Sequence, residues 1–228
     1  MKTLLKAASA AALLAATATG VSAPAAAQVN GVATSDINLA VIRSQAFGNG
    51  YQQINTQYQA QMTTIGQRQQ QRQQLVQSFD ANGDGQLDQT EQAATQDPNN
   101  TTVQQIQAID RELQQLQTPI DLARVYVVQQ VAQRYQAALQ NVISANNIQF
   151  LITPEALIHA APAADVTAQV TAQLDTALPA ATITPPAGYQ PSEAAVALYQ
   201  QIQQILLRSA IERQQQQAGQ QPAAQSGR

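Results

Sequence analysis

The segment VQQIQAIDRELQQLQTPIDLARVYVVQQVAQRYQAAL, Val103 to Leu139, decides how the rest of this chain is read. Val103, Ile106, Ile109, Leu113, Leu116 and Ile120 recur in steps of three and four, which lines them up on one helical stripe like a coiled-coil seam. From Val127 through Val131, Tyr135 and Leu139 the step is four. That spacing drifts across the helix face faster than a heptad, so any supercoil relaxes toward the C-terminal end. The apolar register runs through Pro119, which therefore predicts a kink or a local break within the rod. Ser144-Ala145-Asn146-Asn147 marks its end.

A stripe this long needs a partner, and the chain supplies one upstream. Tyr51, Ile54, Tyr58, Met62 and Ile65 form a second stripe at helical spacing. It then fails through GQRQQQRQQ, Gly66 to Gln74, and returns briefly at Leu75, Val76 and Phe79. TQDPNNTT, Thr95 to Thr102, is dense in turn and capping residues. Two rods follow, over about 44–79 and 102–146, each roughly 50 to 65 Å long at about 1.5 Å per residue. Two short apolar runs flank them. INLAVI, Ile37 to Ile42, and FLIT, Phe150 to Thr153, read as strands over 37–42 and 149–153. If these strands share a sheet, the rods must leave it and return as an antiparallel hairpin. The expected fold is therefore α+β and predominantly α: a small β body from 35–43 and 147–180, and a hairpin tentacle over 44–146. Asp165 to Leu178 reads as a short helix, 181–191 as a proline-rich linker, 192–213 as an extra amphipathic helix and 214–228 as a disordered tail.

The first 27 residues show the charged, apolar and small-residue order of a cleavable secretory signal, with cleavage expected after Ala27. Without them, nine arginines face fourteen acidic residues and leave a net charge of −5. Scattered arginines on an acidic chain make nucleic acid an unlikely partner. No run approaches the length of a membrane span, so no stable membrane insertion is expected. There is no cysteine, which excludes disulfides and thiolate chemistry, and His159 is the only histidine. Neither a triad nor a histidine metal centre can be assembled, and the expected protein is not an enzyme.

FDANGDGQLDQTEQ, Phe79 to Gln92, is the most chemically explicit passage. It gathers four carboxylates in an otherwise charge-poor region. Counted from Asp80, the loop 80–91 puts Asp80, Asn82 and Asp84 at positions one, three and five, Gly85 at six, Gln86 at seven, Asp88 at nine and Glu91 at twelve. This is the EF-hand calcium spacing. Alternate side chains wrap one face of a large hard cation, the glycine allows the sharp turn, and the backbone carbonyl at position seven adds an oxygen. Ca2+ is thus the expected cofactor, structural or regulatory, at Asp80, Asn82, Asp84, Gln86, Asp88 and Glu91. With no second loop to pair through Leu87, the expected site is weak, in the range of roughly 10⁻⁴ to 10⁻³ M.

The order of strand, outgoing rod, returning rod, strand and short closing helix resembles the Skp/OmpH family of periplasmic chaperones. INLAVIRSQAF, from Ile37, is similar to that family's opening strand and helix start. NNIQFLITPEALIHAAPAADVTAQVTAQLD, from Asn146, is similar to its closing segment, with the Asp165-Val166-Thr167 helix start. The resemblance spans about residues 35 to 180. It implies a periplasmic homotrimer whose strands form a small body and whose three hairpins enclose unfolded outer-membrane proteins, without catalysis. This chain is acidic and glutamine-rich where better-known members are basic and lysine-rich, which argues against client capture by bulk positive potential. The expected function is a holdase tuned by calcium at the tentacle tips. The alternative is a calcium-binding coiled-coil module for adhesion or signalling.

Overall fold

In the computed structural model, which describes residues 31–219, the chain runs out along one rod and back along another. The expected signal over 1–27 and its cleavage point lie outside the described residues. Val32–Thr34 (β1) leads into Ile37–Arg43 (α1), Gln45–Gln57 (α2) and Gln59–Gln77 (α3). After the acidic loop come Gln89–Gln96 (α4), the 45-residue helix Thr101–Ala145 (α5), Phe150–Ile152 (β2), Thr167–Ala177 (α6) and Glu193–Gly219 (α7). The fold is predominantly helical around a two-stranded sheet, with the hairpin and the additional C-terminal helix that the sequence led us to expect.

The hairpin is antiparallel. Gly50 stands against Val127, Arg68 reaches Glu112 at 2.9 Å, and Arg72 reaches Asp110 at 2.6 Å, so numbers rise on one rod as they fall on the other. The acidic loop consequently lies at the end remote from the sheet. Near the sheet α5 is wrapped on several sides, and Ala123, Val127, Val128 and Val131 are fully buried there with Ile54 of α2 and Val170 of α6. Farther out, α3 buries no residue, because Gly66 to Gln74 offers no apolar stripe.

The strand expected over 37–42 is a helix, which corrects the β body's first segment. Asp36 caps α1: its carboxylate accepts the Leu39 N–H at 3.1 Å, and its own N–H donates to Thr167 Oγ1 at 3.0 Å. That cap outweighs the β preference of a branched run. Ser44, 2% exposed, then joins two helices: its hydroxyl donates to the Val41 carbonyl and accepts from Phe47 N–H. The true first strand is Val32–Thr34, which pairs in parallel with β2 in the register Val32 to Phe150, Ala33 to Leu151 and Thr34 to Ile152. Gly31, at φ 73°, turns its carbonyl to accept from both Gln149 and Phe150 N–H.

The helices differ from expectation at three points. The outgoing rod is divided at Tyr58 (φ −101°, ψ 15°), although Tyr58 N–H still reaches Ile54 O and Met62 N–H still reaches Tyr58 O, so the rod bends without ending. Pro119 does not break α5. The C-terminal helix continues to Gly219, so residues 214–219 of the expected tail are helical; 220–228 lie outside the described residues. The reason is composition: a run of glutamines has good helix propensity even with nothing to bury.

The stretch expected to be a linker is packed as a strap on α5. Gln130 Oε1 accepts from both the N–H and the hydroxyl of Thr182, and Gln130 Nε2 donates to the Thr182 carbonyl at 2.8 Å. Tyr189 OH donates to Gln129 Oε1 at 2.8 Å, and its ring meets Tyr126 edge-on at 4.9 Å. Beyond it, α7 buries Leu198 and Ile202 in the main core.

A Cβ added to Gly50 would lie 3.0 Å from both methyl carbons of Val127, so glycine sets how closely α2 and α5 approach. Gly50→Val should destabilise the fold by about 1–3 kcal/mol in urea unfolding. Gly50→Ala in a Val127→Ala background should instead gain up to about 1 kcal/mol through helix propensity. Tyrosines of the same layer set the alkaline limit. Burial, with Tyr199 second, holds the Tyr51 hydroxyl well above the ordinary phenol range, and burial followed by Asp121 raises Tyr199. Both phenols are therefore favoured neutral in the fold. Their contribution to stability is complete below about pH 10, the unfolded value, and is lost as pH rises from there through the folded value. The urea midpoint should fall in that alkaline window, and less steeply in Tyr51→Phe.

Candidate functional site

The acidic loop is shaped by its own side chains. Asp80 Oδ1 accepts from Gly83 and Asp84 N–H and its Oδ2 from Gly85 N–H, while Asn82 Oδ1 accepts from Asp84 N–H and Asp84 Oδ1 from Gln86 N–H. These successive side-chain turns wind the segment around its first carboxylate. Gly83 (φ 74°) and Gly85 (φ 79°) take the left-handed conformation that such winding requires. Gln86 is exposed, and its backbone carbonyl is what the calcium spacing calls upon.

Asp88 and Glu91 close the loop's other end. They form a capping box at the start of α4, Asp88 Oδ1 accepting from Glu91 N–H at 2.8 Å and Glu91 Oε2 from Asp88 N–H at 3.0 Å. Glu91 does more than cap. Its Oε1 reaches across to accept from Ala81 N–H at 2.8 Å and Asn82 N–H at 3.3 Å, and the residue is buried at 8% exposure. One carboxylate thus ties position twelve to positions two and three of the loop.

All six expected ligand residues lie in this turn: Asp80, Asn82 and Asp84 on the first half, Asp88 and Glu91 on the second, and Gln86 between them. Among the described residues no group of three or more His, Cys, Asp or Glu converges as an ion site. Residue type and spacing fit a hard cation, while the carboxylate oxygens face backbone N–H groups. His159, the only histidine, lies on the exposed connection between β2 and α6, where Ile158 is fully exposed.

The second feature is the sheet. β1 is flanked by β2 on one side and by a bridge from Thr34 to Asp165 on the other, with Val166 N–H donating to Thr34 O at 2.9 Å. Among the described residues nothing pairs with the outer edge of β2. Phe150 is 64% exposed and Leu151 41%. Their exposure could not be read from the apolar run FLIT, since the run looks the same whether its partner is this chain or another.

The third feature is the inner wall of the hairpin. A groove of about 370 Å³ between the rods is lined by Met62, Ile65, Gln117, Ile120, Asp121 and Arg124. Its two charged residues neutralise each other, at 3.6 Å. Glutamines cover much of the remaining rod surface, offering hydrogen bonds without fixed charge.

The model of the family described as Outer membrane protein (OmpH-like) matches residues 31–174. The chain belongs to this OmpH-like family. No curated protein and no solved structure matches it. OmpH-like proteins are periplasmic, non-enzymatic chaperones that act on outer-membrane proteins. The match takes in the sheet, the whole hairpin and most of α6; the strap and α7 of this OmpH-like chain lie beyond it. Among the described residues no helix is long and apolar enough to cross a membrane.

Glu91→Gln should loosen the tip by about 1–3 kcal/mol, since an amide nitrogen cannot accept from the N–H groups now held. Hydrogen exchange over 80–96 in metal-free buffer should accelerate accordingly. The global urea transition should move far less, because the loop lies outside the main core.

Proposed function

We propose that this chain is a periplasmic holdase, working as a homotrimer that keeps unfolded outer-membrane proteins soluble between its three hairpins. The observation that carries the reading is the outer edge of β2, unpaired among the described residues, with Phe150 and Leu151 exposed on it, at the opposite end of the molecule from the hairpin tip. A parallel two-stranded sheet of three residues per strand is marginal by itself, and parallel sheets are ordinarily covered on both faces. Association of β bodies satisfies the edge and buries the aromatic side chain. It also sets several hairpins side by side. Their walls of glutamine with sparse apolar groups suit weak binding without sequence preference.

Calcium at the tip belongs to the same reading. Asp80, Asn82, Asp84, Asp88 and Glu91 would hold it with the Gln86 carbonyl, and the ion would neutralise four neighbouring carboxylates. The hydrogen bonds that these oxygens make to backbone N–H groups compete with the ion, which supports a weak site. A calcium-responsive adhesion or signalling module is the reading that the loop spacing alone would favour. It differs in having no need for a client.

Diluting a denatured outer-membrane β-barrel protein into this protein should give little scattering, and native mass should correspond to three chains. Phe150→Asp with Leu151→Asp should yield single chains and restore scattering. A monomeric wild type that leaves aggregation unchanged would exclude the holdase. For calcium, helicity and hydrodynamic radius are compared with calcium and with chelator; equal values would remove the ion from the account.

A further inference from the structure

The outgoing rod is interrupted at Tyr58 and the returning rod carries Pro119, and the antiparallel register sets these two positions at the same level. Two weak points at one level make a hinge. Pro119 lacks the N–H that would bond the Gln115 carbonyl, and Thr118 Oγ1 bonds only the neighbouring carbonyl of Gln114, at 2.7 Å. Below this level the core is continuous; above it, α3 buries nothing.

The segment outside the family match converges on that level from two sides. On one, the strap puts Pro185, Pro186, Gly188 and Tyr189 into a single groove with Tyr58, Pro119 and Leu122. On the other, α7 runs over the rods: Tyr199 OH donates to Asp121 Oδ1 at 3.2 Å, two residues past the proline, and Gln203 Nε2 donates to Tyr51 OH at 3.3 Å, two turns before the bend. The strap is itself pinned to α5 at Gln129 and Gln130. Prolines suit a brace because their φ is already fixed and little conformational entropy is lost in holding them.

We infer that residues 181–206 brace the Tyr58–Pro119 hinge at its pivot, the strap filling the groove at the hinge and α7 holding the body side, so that the distal arm bends through fewer angles. The brace is a conformational device of this chain, and it does not depend on the holdase reading. It gives the C-terminal extension a mechanical role: an arm that hinges freely would sample many angles, and a filled groove at the pivot leaves fewer.

The cysteine-free sequence allows a direct measurement. Gln107→Cys and Gln136→Cys place spin labels on exposed positions of α5 either side of Pro119, about 44 Å apart at 1.5 Å per residue. The labelled chain is mixed with excess unlabelled chain so that only distances within one chain are read. The expected result is a narrow distance distribution in the otherwise native protein. It should broaden about twofold or more, with a shorter mean, when Pro185→Gly, Pro186→Gly and Tyr189→Ala empty the groove. An unchanged distribution would overturn the brace, because those side chains are then missing whatever the strap backbone does. If that variant loses helicity, the milder Tyr199→Phe with Gln203→Ala removes the contacts of α7 alone, and the same two outcomes decide.

Discussion

One helix, α5, is the wall against which everything else is built, and its burial is unequal along its length. At the sheet end α1, α2, α6, the strap and α7 enclose it, so that Val127, Val128 and Val131 are fully buried. Each such side chain contributes roughly 1.5–3 kcal/mol relative to exposure. At the tip end its companions among the described residues are α3, the loop and the short α4. A 45-residue rod cannot cover itself, and the number of neighbours at each level decides how firmly that level is held.

The consequence is a molecule with a stiff base and a soft arm. Between Gly66 and Gln74, where α3 buries nothing, α5 still buries Ile109 and Leu113, and Arg68 with Glu112 and Arg72 with Asp110 pair across the rods. Arg68 Nε meets its carboxylate at 2.9 Å as an ion contact without hydrogen-bond alignment. Both pairs are exposed, and such pairs contribute on the order of 0–1 kcal/mol each. They set register more than strength. At the far end Glu91 restores order by a different means, closing the loop through hydrogen bonds to backbone N–H groups at both of its ends. In this chain of the OmpH-like family the body is a closely packed platform, and the arm is held by fewer side-chain contacts.

The acidic character follows from the same economy of contacts. A chain with few charges keeps them where they organise structure: at the distal pairs, in the tip loop, and as the caps Asp36 and Asp88. Its glutamine-rich rod surfaces offer hydrogen-bonding groups without fixed charge. Glutamine also serves inside the fold, since Gln129 and Gln130 hold the strap by satisfying backbone groups that would otherwise go unpaired.

Sequence alone was sufficient for the features that depend on local periodicity. The stripe from Val103 to Leu139 specified one long helix, the failing stripe after Ile65 specified an exposed outer rod, and the spacing from Asp80 to Glu91 specified a tightly wound turn between them. Those signals are properties of neighbouring residues, and neighbours on a helix meet in a known pattern. Tertiary structure decided what depends on distant partners. Whether INLAVI became strand or helix turned on a cap at Asp36 that Thr167, 131 residues away, helps to hold. The packing of TPPAGYQ as a strap turned on two glutamines of α5, and the side of FLIT left open turned on which of its edges β1 occupies. Hydrophobic pattern tells a segment to bury one face, but the surface that will cover that face is chosen by the rest of the chain.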